Sequence, residues 1–324
     1  MQAWLCENPV GVEALQWKEL PSPQPKAGEV LIDIKAASLN FPDLLIVQGK
    51  YQTKPPVPFV PGAEYAGVVK AVGAGVTGLQ VGQSVACLTG TGGFATETAA
   101  PAALCVPLPE GFPHVDAAAF IMIYATSYHA LVDRGQLKAG ESVLVLGAAG
   151  GVGTSAIQVA KAMGARVIAA ASSDEKCELC KSIGADATIN YGREDLREAI
   201  KALTDGKGID VVYDPVGGDL AEPALRSVAW RGRYLIIGFA SGTIPALPLN
   251  LPLLKGTSLV GVFWGSFAKQ EPKANAAMMA ELVRWYVDGK IKPVIDRTMP
   301  MPELKAAFAR MGSRTVKGKL VMVN

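Results

Sequence analysis

The stretch VLVLGAAGGVGTSAIQVAKAMGARVIAAASS, residues 143 to 173, decides the fold. Four apolar residues run into a burst of glycine and alanine, then an amphipathic run, then a second apolar run that ends in Ala171-Ser172-Ser173. This is the pattern of one strand-helix-strand unit whose turn opens the helix. In such a unit Gly147, Gly150, Gly151 and Gly153, with Ala149 and Val152 among them, permit a tight turn. They also let backbone N–H groups approach phosphate oxygens at the helix N-terminus and let the helix pack closely on the strand. The segment reads as a dinucleotide site. Its spacing, GxxGxxG with an extra glycine, departs from the strict GxGxxG, so the reading rests on the strand before it and the helix after it.

A site for NAD usually carries Asp or Glu about 20 residues past the glycines, where the carboxylate accepts hydrogen bonds from ribose hydroxyls. Here Ala171 holds that place, followed by Ser172 and Ser173, with Lys176 one turn into the next helix and Tyr191 after the following strand. A carboxylate that repels a 2′-phosphate is missing, and hydroxyls plus an ammonium stand where that phosphate would be held. NADPH is the expected cofactor. The plainer alternative is that Ser172 and Ser173 cap the helix at 174 and Lys176 belongs to a solvated face.

Outward from this unit, residues from 122 onward alternate near-continuous apolar strands with amphipathic helices, the mark of a parallel sheet covered on both faces. The first third differs. EVLIDIKAAS (29–38), EYAGVVKAVG (64–73) and the two halves of GQSVACLTGTGGFATETAA (82–100) are β-rich runs bounded by Gly and Pro, which implies a barrel-like module. The tail has a long helix over 274–291, then PVIDRTMP, a short helix and the apolar strand KGKLVMVN. It does not extend the alternation and is expected to return to the first module. The fold class is α/β: a β-rich domain over 1–121 completed by 290–324, and a doubly wound parallel-sheet domain over 122–289.

The 324 residues, 50% hydrophobic and 19% charged, suffice for two cores. The 31 basic and 29 acidic residues are spread evenly, so no electrostatic footprint for nucleic acid or an anionic membrane is present. No apolar stretch reaches the roughly 18–20 residues that span a bilayer, and no basic segment followed by an apolar core opens the chain; a cytoplasmic location is expected. Five scattered cysteines suit reduced thiols. Cys177 and Cys180 form a CxxC inside an amphipathic helix with no second pair, read as packing plus a surface thiol.

SLNFPDLLIVQGKY (38–51), PFVPGAEYAGVVKAVG (58–73), VGQSVA (81–86), YATSYHAL (124–131) and the opening stretch, in that order, resemble the zinc-independent quinone oxidoreductases of the medium-chain dehydrogenase/reductase superfamily. KPPVPFVPGAE, AAASSDEKC and LRSVAWRGR resemble its quinone oxidoreductase-like subgroup. The resemblance covers essentially the whole chain. It implies a GroES-like catalytic domain with a Rossmann domain inserted before its C-terminal pieces, and a homodimer. It also implies that Asn40, Asp43 and Tyr51 stand beside the nicotinamide. There Asn40 can donate to a carbonyl oxygen, and Tyr51 can donate to the same oxygen or deliver a proton. By themselves, Asn40 is equally a turn residue, Asp43 a helix cap and Tyr51 an apolar wall. Further cofactor contacts implied by the resemblance are Thr126, Gly238, Phe239, Phe263, Trp264 and Lys317. Thr126 is also readable as a helix residue bonding to its own backbone, and Trp264 as a core or dimer contact. The apolar SLVGVFWG (258–265) is the candidate dimer edge, pairing antiparallel with its copy across a two-fold, unless it is buried within one chain.

Zinc-dependent relatives carry a Cys and a Gly-His-Glu as their first two ligand segments; SLNF (38–41) and Gly62-Ala63-Glu64 stand in those places. The four closely spaced cysteines of a structural-zinc lobe are missing after residue 86. A zinc site takes about four N or S ligands, and the chain's two histidines are His114 and His129, the latter expected to be packed or solvent-facing. Without ligands for a Lewis acid, hydride is expected to go to an acceptor already electrophilic, a quinone or a carbon–carbon double bond conjugated to a carbonyl. The primary reading is an NADPH-dependent quinone reductase. The alternatives are an NADPH-dependent enone reductase and an NADPH-binding protein with little catalysis, with the even charge against a nucleic-acid role. No metal is expected at the site. Activity should survive prolonged chelation, with no stoichiometric zinc by elemental analysis; a zinc equivalent that tracks activity overturns this expectation.

Overall fold

The structure, a computed structural model, describes residues 1–324. Two compact units form: residues 1–122 with 295–324, and residues 123–294.

The first unit is built on a seven-stranded sheet. Its order is Ile295–Pro300, Lys319–Val323, Glu29–Ser38, Glu64–Val72, Ser84–Leu88, Cys105–Pro107, with Glu97–Pro101 also paired to Glu29–Ser38. Pairing is antiparallel except between the two C-terminal strands, which are parallel. The strand Glu29–Ser38 sends Val30, Ile32 and Ile34 into the core, with Tyr65, Phe94 and Phe308. A Cβ at Gly67 would lie 2.1 Å from the Asp33 carbonyl oxygen, so the close approach of the two longest strands requires glycine there. The tail is knitted into this core. The Phe308 ring meets Phe94 edge-on at 6.2 Å, and Trp4 Nε1 donates to the Met301 carbonyl at 2.8 Å.

The second unit holds a six-stranded, wholly parallel sheet in the order Ala187–Asn190, Arg166–Ala171, Ser142–Val145, Ile209–Asp214, Val228–Ile236, Ser258–Gly261. Counted along the unit this is 3-2-1-4-5-6, the doubly wound order, whose ligand crevice opens at the carboxyl ends of the strands where the order reverses. The strand Ser142–Val145 is buried along its whole length, as a strand covered on both faces must be. Ser258–Gly261 pairs only with Val228–Ile236 and forms one edge of the sheet. No helix is long and apolar enough to cross a membrane.

Local boundaries depart from the sequence expectation where tertiary pairing overrides local pattern. IYATSYHALVDRG (123–135) reads from its sequence as one helix, but Ile121–Tyr128 is α-helical and His129–Arg134 forms a π turn. There the Gly135 N–H bonds to the Ala130 carbonyl at 2.7 Å, and a Cβ at 135 would sit 2.9 Å from that oxygen. DLAEPALRSVAW (219–230) reads from its sequence as a helix, but the helix covers only Ala221–Arg226, because Val228 pairs with Ile209 and starts the next strand. SLVGVFWG is a strand only over Ser258–Gly261, and Trp264 already begins a helix. Cys177 and Cys180 are both buried, so the expected surface thiol is corrected. Their i, i+3 spacing turns both toward one helix face.

Candidate active site

In the second unit, the glycine turn is shaped by contacts that leave no room for side chains. Gly147 adopts φ +58°, and a Cβ on it would lie 2.8 Å from Val216 Cγ2. A Cβ on Gly153 would lie 2.5 and 2.6 Å from the Gly147 and Ala148 carbonyl oxygens. The helix Gly151–Ala162, with Gly150 as its N-cap, therefore seats directly on the turn. The Gly150 N–H donates to the Gly147 carbonyl at 3.0 Å, and the Ala148 N–H ties the turn to Ala170 at 3.0 Å. The first bond inside the helix runs from the Thr154 N–H to the Gly150 carbonyl at 2.8 Å. The N–H groups of Gly151, Val152 and Gly153 precede it and point out of the helix end, where the dipole adds positive potential. Ala149 lies buried beneath. This cradle fits the pyrophosphate of a dinucleotide.

At the end of the strand Arg166–Ala171, the two adjacent serines do different things. Ser173 caps the helix Asp174–Ser182, its Oγ accepting from the Lys176 N–H at 3.3 Å. Ser172 Oγ accepts from Lys176 Nζ at 3.3 Å, so a hydroxyl and an ammonium are held together. The Tyr191 N–H donates to the Ala171 carbonyl at 3.0 Å. Ala171, Ser172, Lys176 and Tyr191 thus share one rim. Farther along the sheet the Gly238 N–H bonds to the Asp214 carbonyl at 3.3 Å, and the Phe239 ring closes over Gly217, where a Cβ would come within 2.9 Å of it. Buried Asp214, unanticipated from the sequence, fastens this loop: Oδ1 accepts the Val216 and Gly217 N–H groups at 2.8 and 2.9 Å, and Oδ2 accepts from the Tyr234 hydroxyl. Thr126 is half-buried in its helix and Phe263 is exposed. Trp264 is buried, its Nε1 donating to Asn275 Oδ1 at 2.9 Å, which is the packing alternative for that residue. Lys317 belongs to the first unit, half-buried, its N–H 3.4 Å from Asp296 Oδ1.

In the first unit, a buried polar cluster gathers around the start of the helix Phe41–Val47. Asn40 is its N-cap, and Asp43 reaches back so that Oδ2 accepts the Asn40 N–H at 2.8 Å. Asp43 Oδ1 accepts the Ala63 N–H at 2.9 Å, tying the helix to the segment before the strand Glu64–Val72. The Asn40 amide turns elsewhere: Nδ2 donates to Glu64 Oε2 at 3.0 Å, and Oδ1 accepts from Lys319 Nζ. Its orientation is fixed, because an ammonium offers only donors and a carboxylate only acceptors. The second Nδ2 hydrogen meets only Ser38 Oγ, at 3.4 Å. Glu64 also accepts from Ser38 Oγ at 2.9 Å and the Met122 N–H at 2.9 Å. Lys319 Nζ donates to the Leu39 carbonyl at 2.7 Å and lies 3.9 Å from Glu64 Oε2.

All five side chains are buried. Burial pushes Asp43 up to about 7, against the pull of the Asn40 N–H, the Lys319 charge and the Ala63 N–H. Burial likewise holds the Lys319 ammonium below its ordinary value, with Glu64 and Asp43 opposing. Half-buried Tyr51, packed against the same core, is raised by burial and then by the Asp43 charge, so its phenol keeps its proton at neutral pH. Asn40 and Asp43 are brought into one cluster, with Asp43 also the helix cap that the plainer reading gave it. Ser38, Glu64 and Lys319 went unread as its other members. The available signal was a charged residue opening each of two apolar strands, Glu64 of Glu64–Val72 and Lys319 of Lys319–Val323. The residues here do not fit zinc: Asn40 and Glu64 are spent on Lys319 and on each other, Ala63 has no ligand atom, and no group of three or more His, Cys, Asp or Glu is arranged to hold a metal ion.

A family model for the alcohol dehydrogenase GroES-like domain matches residues 26–110, and one for zinc-binding dehydrogenases matches residues 151–282. Quinone oxidoreductase-like protein 2 of Bos taurus is 38% identical over 295 residues, covering 91% of this chain and 84% of that protein. The quinone oxidoreductase of Thermus thermophilus, solved alone and with NADPH, is 35% identical with a TM-score of 0.85 over 100% of both chains. The Escherichia coli quinone oxidoreductase complexed with NADPH is 29% identical with a TM-score of 0.92 over 100% of both chains.

The Asp43 shift sets a pH dependence. Its folded value of about 7 lies above the ordinary 3.8, so the proton is held by the fold. That contribution is complete below a pH of about 4 and is lost as pH rises through about 7. Urea midpoints of the wild type should decline across this window relative to Asp43→Asn, which has no proton to lose there; parallel profiles refute the burial account. The variant itself should lose about 1–3 kcal/mol, because one of the two backbone N–H groups loses its acceptor.

Proposed function

The chain belongs to the quinone oxidoreductase-like branch of the medium-chain dehydrogenase/reductase superfamily, and from that premise we propose that it is an NADPH-dependent reductase of small quinones. The observation that carries the reading is the rim at Ala171. Where a ribose-binding carboxylate would stand, Ser172 Oγ and Lys176 Nζ form a pair at 3.3 Å, and these groups have donors to offer a 2′-phosphate. The NADPH complexes of the Thermus and Escherichia relatives support the same cofactor.

When bound, a nicotinamide cofactor supplies a hydride. The N–H groups of Gly151, Val152 and Gly153 hold its pyrophosphate. On the acceptor side, the Tyr51 phenol donates to the carbonyl oxygen that gains charge, and the loosely engaged second hydrogen of Asn40 Nδ2 is a second donor. Asp43 holds the helix start that carries Asn40, and Lys319 fixes which way the amide faces. The same two donors serve a conjugated enone, which makes alkene reduction the close alternative.

The assembly proposed for the enzyme is a homodimer through the free side of the edge strand Ser258–Gly261. Exposed large apolar side chains support this: Leu253, 80% exposed, in the helix Asn250–Lys255 just before it, and Trp230, 71% exposed, on the neighbouring strand. Light scattering at micromolar concentration should return twice the mass of one chain; a monomer counts against the proposal.

For the reaction, NADPH deuterated at the transferred hydrogen is offered with quinones and enones separately. Quinol formation is expected. Deuterium on the β-carbon of a saturated ketone would establish alkene reduction instead, and tight NADPH binding without turnover of any acceptor would make this a binding protein. Tyr51→Phe should lower kcat by roughly 10²-fold. Unchanged turnover in both Tyr51→Phe and Asn40→Ala removes the proposed oxygen site.

A further inference from the structure

The rim that suits a 2′-phosphate also carries a carboxylate. Asp174 follows Ser173 directly and, with Glu175, puts two acids in the first turn of the helix Asp174–Ser182. They favour the helix through its dipole, yet an uncompensated carboxylate two residues from Ser172 opposes a phosphate.

Arg193 meets that carboxylate. Its Nη2 lies 2.9 Å from Asp174 Oδ1, and Asn190 Nδ2 donates to the same oxygen at 2.9 Å. The loop carrying Arg193 is fastened against the rim. The Tyr191 N–H bonds to the Ala171 carbonyl at 3.0 Å, the Gly192 N–H to Asn190 Oδ1 at 3.0 Å, and the Arg193 N–H to the Asn190 carbonyl at 3.1 Å. A Cβ at 192 would lie 2.7 Å from the Ser172 carbonyl oxygen, so loop backbone touches rim backbone. The Arg193 and Asp174 side chains are 65% and 62% exposed. Such a pair adds little to stability and leaves both groups open to a ligand. A guanidinium has five N–H donors in a planar fork, so binding Asp174 leaves others for a phosphate.

We propose that Arg193 is a specificity-determining residue of the cofactor site. It neutralises Asp174 and presents, beside Lys176, a second cation to the 2′-phosphate. This rests on the reading of the cofactor as NADPH. With Asp174, Glu175, Lys176 and Arg193 the rim is neutral; without Arg193 it carries one net negative charge against a phosphate of about −1.5 to −2. Asp174 is then left as an acceptor for free ribose hydroxyls, the arrangement that suits NADH.

Dissociation constants for NADPH and NADH, read from nicotinamide fluorescence with no acceptor present, test this in the wild type, Arg193→Ala, Asp174→Asn and the double variant. Arg193→Ala should weaken NADPH by about tenfold or more while NADH stays within about twofold. The double variant should recover part of that loss, because the opposing anion is gone as well. A wild type that binds both cofactors equally sinks the NADPH reading itself. A wild type that prefers NADPH, with Arg193→Ala keeping full NADPH affinity, overturns the role of Arg193 alone. Equal losses for both cofactors also overturn it, since the arginine would then hold the loop rather than read the phosphate. A double variant no better than Arg193→Ala overturns the part given to Asp174.

Discussion

A lysine ammonium with almost no access to water holds the first unit together. Lys319 enters the core on a strand that is otherwise apolar and finds the Leu39 carbonyl, the Asn40 amide oxygen and, at 3.9 Å, Glu64. Burying a charge costs several kcal/mol unless partners compensate, and here each partner is itself satisfied: Glu64 by Ser38, Asn40 and Met122, and Asn40 by both Lys319 and Glu64. Apart from the loosely engaged second Nδ2 hydrogen of Asn40, the network is closed, so removing one member leaves the others unpaired in a buried site. Closure also makes the orientation of Asn40 unique. A helix N-cap that could rotate freely in water is turned into a fixed dipole by a residue at the far end of the chain.

How much of this was legible depended on distance along the chain. The strand, glycine turn and helix at 143–162 are set by neighbours in sequence, and the structure follows the pattern read there, down to the Gly153 contact with the turn carbonyls. The capping role of Ser173 was legible for the same reason. The division of labour between Ser172 and Ser173 was not, because adjacent hydroxyls look alike until the backbone directions are known. Lys319 and Asn40 lie 279 residues apart, and no local pattern joins them. The π turn at His129–Arg134 was likewise hidden, since its apolar spacing imitates an α-helix and only the glycine at 135 marks the extra residue.

The second unit shows how one short rim serves two demands. A helix N-terminus favours acids in its first turn, whereas a site reading a 2′-phosphate, as proposed here, favours cations, and under that proposal both demands fall on residues 172 to 176. The chain satisfies the helix with Asp174 and Glu175 and supplies the cations from Lys176 within the helix and Arg193 on the next loop. Asp214 plays a comparable fastening role farther along the sheet, where one carboxylate organises the Val216–Gly217 turn and binds the Tyr234 hydroxyl. There the carboxylate positions backbone, whereas Asp174 holds the side chains of Asn190 and Arg193.

The position of the strand Lys319–Val323 has a consequence for synthesis. It lies inside the first sheet, between Ile295–Pro300 and Glu29–Ser38, while residues 123–294 form a unit contiguous in sequence. Leu39 leaves the ribosome 280 residues before its partner Lys319, a wait of roughly 15 to 55 s at ordinary elongation rates. Throughout that time the segment Ala36–Ser38 has its free edge turned to solvent, next to Glu64 and Asn40 without their cation. The second unit can fold and fill its core during the same interval, so the nascent chain passes through a stage in which the sheet made first in sequence is the one completed last, and its open edge is the part most exposed to pairing with another chain.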